Sequence, residues 1–110
     1  PEMQGCAGWY YASPEERERL LDGFGRTWGI MNYRCGGQEM RLLVDGRIHF
    51  CYYHKLSPWD QAAGWLIHRE AGGHSALIDG SPYRPDLRAG GLLMAPDKAS
   101  WNELATALRG

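Results

Sequence analysis

The sequence predicts an α/β fold: one layered domain with a central mixed β-sheet and helices packed against it. Three observations carry this. Short apolar or aromatic runs alternate with helix-period segments along nearly the whole chain. Two of the helical segments open on Ser-Pro and close on glycine, so their ends are marked as well as their middles. Finally, 110 residues suffice for one compact core, and no internal repeat or low-complexity stretch interrupts them.

Taken in order, residues 7–12 are aromatic-rich, with Trp9, Tyr10 and Tyr11, and read as a strand. Ser13-Pro14-Glu15-Glu16 is a helix start with an N-cap, a proline and early acids, and this helix ends near Gly23 or Gly25. Residues 28–33 form the next strand, 38–44 a short helix stopped by Asp45-Gly46, and 48–53 an apolar aromatic strand. A long helix over 58–71 has Ser57 as N-cap, Pro58 at its first position and Gly72-Gly73 as its stop. Trp59, Ala62, Ala63, Leu66 and Ile67 recur in it at roughly helical spacing, and Ala62-Ala63-Gly64 keeps one face thin, so the helix is expected to be buried. A strand follows at 75–78, then a Pro- and Gly-punctuated loop through 90 in which Asp79-Gly80 reads as a turn. A strand at 92–95 and a final helix over 97–108, anchored by Trp101 and Leu104, complete the chain.

Composition narrows the function classes. The formal charge is −1, from 12 basic and 13 acidic residues dispersed along the chain, which gives no electrostatic case for binding nucleic acid or an anionic membrane. No apolar stretch reaches the length of a membrane span, and Pro1-Glu2-Met3-Gln4-Gly5 lacks the basic and hydrophobic parts of a signal peptide. Cys6, Cys35 and Cys51 are odd in number and too widely spaced for a zinc knuckle or a CxxC pair. Buried free thiols in a reducing, cytoplasmic setting are expected. His49, His68 and His74 have no spacing that suggests a metal site and count as packing or surface residues, while Arg69 and Glu70 are expected to be solvated or paired. Trp9, Tyr10 and Tyr11 are core or interface aromatics, the latter through a homodimer contact.

The most informative run is Pro58-Trp59-Asp60 followed by Ala62-Ala63-Gly64 and closed by Glu70-Ala71-Gly72-Gly73. It puts Asp60 in the first turn of a helix, where an acid complements the helix dipole and can close a capping box with Ser57. The full pattern over 58–73 resembles the C-terminal signature of the inositol monophosphatase family. That resemblance implies the fold of the family's C-terminal domain, a phosphomonoesterase activity dependent on Mg2+, and a role for Asp60 as one ligand of the metal. Hard magnesium ions favour carboxylate oxygens and keep several waters, so Asp60 needs partners elsewhere. In the family these come from an upstream Glu and an Asp-x-x-Asp-Gly-Thr/Ser motif. Asp79-Gly80-Ser81 is the only Asp-Gly-Ser here, and with Ala76 three positions before Asp79 it does not fit the motif. The chain therefore reads as the C-terminal half of a two-domain phosphatase that does not turn over substrate alone.

Two further segments are candidates for the substrate side. In Arg34-Cys35-Gly36-Gly37-Gln38-Glu39 a glycine pair leads from a strand into a helix, which is either an ordinary turn or a cradle whose amides accept a phosphate ester. The family's junction reads Arg-Ser-x-Gly-Ser/Thr-Ala-Ala, so Gly37 matches while Gln38 and Glu39 depart from it, and Glu39 brings bulk and negative charge towards the phosphate. The other segment is Tyr53-His54-Lys55, where the family places a substrate-binding glutamate and this chain has no acid. Tyr53 and His54 can hydrogen-bond a polyol and Lys55 can pair with an anion, or all three are a plain strand end. The expected function is the C-terminal share of an Mg2+-dependent phosphatase acting on inositol phosphate or a related sugar or polyol phosphate. Asp60 would hold metal, and Gly37, Gln38, Glu39, Tyr53 and His54 would line the substrate. The alternative is a catalytically silent binding module on the same scaffold.

Overall fold

A computed structural model describes residues 3–8, 13–27, 29–31, 39, 43, 46–54, 56, 58–88 and 90–109. Its elements are β1 (Gln4–Gly8), α1 (Pro14–Phe24), β2 (Gly29–Met31), β3 (Phe50–Tyr53), α2 (Pro58–Glu70), β4 (His74–Leu77), β5 (Leu92–Ala95) and α3 (Lys98–Arg109). Glu39 and Leu43, the described residues of the expected short helix, are helical. The strands form one five-stranded sheet in the order β2-β1-β3-β5-β4. β1 runs parallel to β2 and β3, while β5 is antiparallel to β3 and β4. The expected mixed sheet with packed helices is the observed fold.

Side chains alternate across this sheet with period two. Phe50, Tyr52, Ala7, Leu93 and Ala95 point to one face and meet Leu20 and Phe24 of α1 and Trp101, Leu104 and Leu108 of α3. Cys6, Cys51, Tyr53, Leu92 and Met94 point to the other, where Leu43, Leu56 and Tyr83 cover them. Because both faces are covered, all four residues of β3 and all four of β5 are buried, and these strands read as continuous apolar runs.

The helix ends follow the expected chemistry. Ser13 accepts from the Glu16 amide at 3.2 Å and its own amide donates to Glu16 Oε1 at 3.0 Å, a complete capping box. Asp97, read from the sequence as the first residue of the last helix, instead caps α3 from outside it, its carboxylate accepting from the Ser100 amide at 2.7 Å. Trp101 and Leu104 are buried as expected, and Trp101 Nε1 donates to the Leu93 carbonyl at 2.9 Å. Of the two stops read from the sequence, Gly25 is the C-cap of α1, whereas Gly23 lies inside the helix. A Cβ there would sit 2.7 Å from Leu108 Cα and 2.8 Å from the Ala107 carbonyl, so the missing side chain sets the closeness of α1 to α3. Gly23→Ala is expected to cost about 1–3 kcal/mol of stability by overpacking this contact, measured as a lower urea midpoint.

Two expectations are corrected. β1 begins at Gln4, ahead of the aromatic residues, and 9–12 lie outside the described residues. Gln4-Gly5-Cys6-Ala7-Gly8 has little strand propensity, but Gly5 lets Phe50 pack directly on the backbone, since a Cβ would meet the Phe50 carbonyl at 2.2 Å. The inward face of α2 also differs from the one expected: Leu66 and Ile67 are 45% and 59% exposed and Ala63 is exposed. The inward stripe is Gln61, Trp65 and His68, at i, i+4 and i+7, with Gln61 and His68 only 4% and 2% exposed. A stripe with two polar members escapes any count of apolar residues.

His68 packs under Gly73, where a Cβ would come within 2.1 Å of its ring. Neither ring nitrogen has a hydrogen-bond partner among the described residues. Burial pulls its pKa below the ordinary 6.5, the Ala95 main chain opposes this, and His74 adds to it. The fold therefore favours the neutral ring, and this contribution is complete above pH about 6.5 and lost as pH falls below it. His68→Leu is expected to flatten the loss of melting temperature between about pH 7 and about pH 5.

Candidate functional site

β1, β2 and β3 are parallel, so their carboxyl ends, at Gly8, Met31 and Tyr53, share one edge of the sheet. β1 leads to α1 on one face, whereas β2 leads to the helical residues Glu39 and Leu43, of which Leu43 packs on the other. Neighbouring strands that send their connections to opposite faces open a crevice at their carboxyl ends, the usual ligand position in open α/β sheets. β3 leads from the same edge into the head of α2, and Asp60 occupies its first turn. The surroundings of the Asp60 carboxylate fall outside the described set, as do Ser57, Gly36, Gly37, Gln38, Lys55 and Cys35.

Glu39 is 3% exposed and faces Cys6, Cys51 and Tyr53 beneath this edge. The Cys51 thiol donates to the Glu39 carbonyl at 3.5 Å, and the Glu39 carboxylate accepts from Cys6 and Tyr53. Burial, and then the Glu39 charge, push the Cys6 thiol up to about 12. Burial likewise raises Cys51, against an opposing hydrogen bond from Tyr53, and raises Tyr53 with help from Cys51 and Glu39. All three keep their protons at neutral pH, so Cys6 and Tyr53 serve as donors to the carboxylate and Cys51 to the Glu39 carbonyl, and none is a nucleophile. Cys6 and Cys51 are register partners on adjacent strands, and both are free and buried, as the sequence suggested. In the native protein both are expected to resist iodoacetamide for hours and to be alkylated within minutes in denaturant, as read by mass spectrometry; rapid native labelling of either would contradict the assignment.

His54 lies on the opposite side from Tyr53, because neighbouring residues of a strand end point to opposite faces. Tyr52 Oη is 3.0 Å from His54 Nδ1, and His54 Nε2 is 3.1 Å from Glu16 Oε2. Burial, opposed by the Arg19 charge, raises Tyr52 to about 12, so its hydroxyl keeps its proton at neutral pH, and the His54 ring lies between this hydroxyl and the Glu16 carboxylate. Hydrogen bonds from Ser13 hold the Glu16 carboxyl below its usual range. Both ring nitrogens are thus engaged, and the capping acid of α1 is tied to the end of β3. The capping-box spacing marks Glu16 in the sequence, but nothing local marks its pairing with His54.

Asp79 is structural: its carboxylate accepts from the Ser81 amide at 2.8 Å and from the Ser81 hydroxyl, with Gly80 at φ +95° in the turn. Arg69 and Glu70 pair at 3.8 Å on the surface. Among the described residues no group of three or more His, Cys, Asp or Glu could hold a metal ion. Among them, too, no helix is long and apolar enough to cross a membrane.

Residues 12–110 match the model of the inositol monophosphatase family. Over 58 residues, 53% of this chain and 22% of the relative, the sequence is 34% identical to inositol-1-monophosphatase of Bacillus subtilis (strain 168). The fold is similar to that of Staphylococcal IMPase-II, with a TM-score of 0.84 at 16% identity over 98% of this chain and 43% of that one. It is also similar to the extragenic suppressor protein suhB of Bartonella henselae, with a TM-score of 0.83 at 22% identity over 98% and 42%. The chain thus spans less than half the length of these relatives.

Proposed function

Because the chain belongs to the inositol monophosphatase family, we propose that it is the C-terminal part of an Mg2+-dependent phosphomonoesterase acting on inositol phosphate or a related sugar or polyol phosphate. The observation that supports this best is topological. The ends of β2 and β3, which lead to the expected substrate residues Gly37, Gln38, Glu39, Tyr53 and His54, and the head of α2 with Asp60 follow one edge of the sheet, at a point where connections diverge to opposite faces.

In this reading Asp60 is one metal ligand, and further carboxylates and the hydroxyl that positions water come from outside this chain. Mg2+, when bound, supplies polarisation of phosphoryl oxygens and activation of water. The residues of this chain bind and orient. Gly37 and Gln38, which precede Glu39 in the chain, receive the ester. Tyr53, whose proton is donated to the Glu39 carboxylate, keeps oxygen lone pairs, and with the carboxylate it offers acceptors to the hydroxyls of the alcohol part of the substrate. His54 braces α1 against the edge through Glu16 and Tyr52. A cytoplasmic location is part of the proposal, supported by the unlinked state of the adjacent Cys6 and Cys51.

The test is phosphate release from a panel of sugar and polyol monophosphates by the full-length protein, with Mg2+ and with EDTA. Release that needs Mg2+ is the expected result. Equal background with and without the metal across the panel would favour a silent binding module.

A further inference from the structure

A second feature lies on the α1 and α3 face of the sheet, away from the head of α2. A cleft of about 280 Å³ opens between α1, α3 and the turn after β4. Its apolar walls are Leu20, Ile78 and Leu108, and Tyr52 forms part of its lining. Two guanidinium groups from different helices, Arg19 of α1 and Arg109 of α3, stand on it, against one carboxylate, Asp79.

The balance of these charges favours an anion. The Asp79 carboxylate is engaged first by the Ser81 amide and hydroxyl, which spread its charge into the turn, and more weakly by the Arg109 charge. Arg109 is fixed in place: its Nε donates to the Ile78 carbonyl at 2.7 Å and its guanidinium lies 5.8 Å from the Trp101 ring. Neither contact uses its Nη groups. Arg19 makes no ion pair at contact distance among the described residues, and its charge is felt by the Glu16 carboxylate and the Tyr52 hydroxyl. Two guanidiniums beside an apolar wall form a site for a group with an anionic head and a small apolar body, because the wall takes the body from water while the forks bind the head. The volume is at the lower end of ligand pockets, so the ligand is compact.

We propose that this cleft binds a small organic monoanion, of the size of an aromatic carboxylate, with Arg19 and Arg109 on the carboxylate and Leu20, Ile78 and Leu108 against the body. The phenol of Tyr52 connects the cleft to His54 and Glu16, so occupancy is felt at the end of β3. The inference does not depend on phosphatase activity.

Benzoate is the probe and benzamide, its uncharged counterpart, the control. In the isotope-labelled full-length protein, benzoate is expected to give saturable shifts of the Arg19 and Arg109 Nε–H signals and of the His54 ring. Benzamide is expected to bind at least about tenfold more weakly, as is benzoate to Arg19→Gln, which loses one charge-assisted contact at an exposed position. Equal binding of benzoate and benzamide to the wild-type protein would overturn the proposal without recourse to any variant. So would shifts that do not saturate, or undiminished affinity in a folded Arg19→Gln.

Discussion

Asp60→Asn is expected to lower Mg2+-dependent phosphate release by the full-length protein at least about a hundredfold, more than the loss of an outer-shell partner of a metal usually costs. The substitution separates the two roles an acid has at this position. Asparagine keeps the shape and the hydrogen-bonding oxygen of a residue in the first turn of α2, and losing the charge beside the helix dipole costs only about 0.3–1 kcal/mol. A ligand, by contrast, must be a carboxylate for a hard cation. A large fall in activity with a nearly unchanged urea midpoint therefore identifies a ligand. A small fall in both identifies a cap, and would remove Asp60 from the metal site.

Phe50→Ala is expected to destabilise the protein by about 3–5 kcal/mol, the range for deleting a large buried aromatic side chain. Phe50 is fully buried in β3, the middle strand of the sheet. Its ring is packed over Gly5 of β1 and lies parallel to Phe24 of α1 at 6.2 Å, so the cavity would open between the sheet and α1. Neither neighbour can fill it: Gly5 has no side chain, and Phe24 is held edge-on by Tyr52 at 5.7 Å. The urea midpoint should fall with the slope unchanged. A loss below about 1 kcal/mol would mean that α1 collapses onto the strand and that the sheet does not depend on this contact.

The elements most legible in the sequence were those whose ends carry their own chemistry. Ser13-Pro14-Glu15-Glu16 and Asp97 cap α1 and α3 through local hydrogen bonds, and Leu92-Leu93-Met94-Ala95 is apolar throughout because both faces of β5 are covered. What depends on distant partners was not legible. β1 forms where Gly5 allows close approach, and the approach belongs to Phe50, far along the chain. The inward side of α2 is decided by what lies beneath it, which accepts His68 and leaves Leu66 and Ile67 at the surface. At the candidate site, the shared edge was readable as an order of strands and helices. The contact of His54 with Glu16 was not, although the separation of Tyr53 from His54 onto opposite faces follows from strand alternation alone.

Whether a divalent ion is held at the head of α2 is decided most directly by titrating Mn2+, as a paramagnetic stand-in for Mg2+, into the full-length protein and its Asp60→Asn variant and reading free Mn2+ by electron paramagnetic resonance. The expected result is saturable binding to the wild-type protein, displaced by Mg2+, and binding at least about tenfold weaker in the variant. Equal binding to both proteins, or none to either, would contradict a metal site built on Asp60.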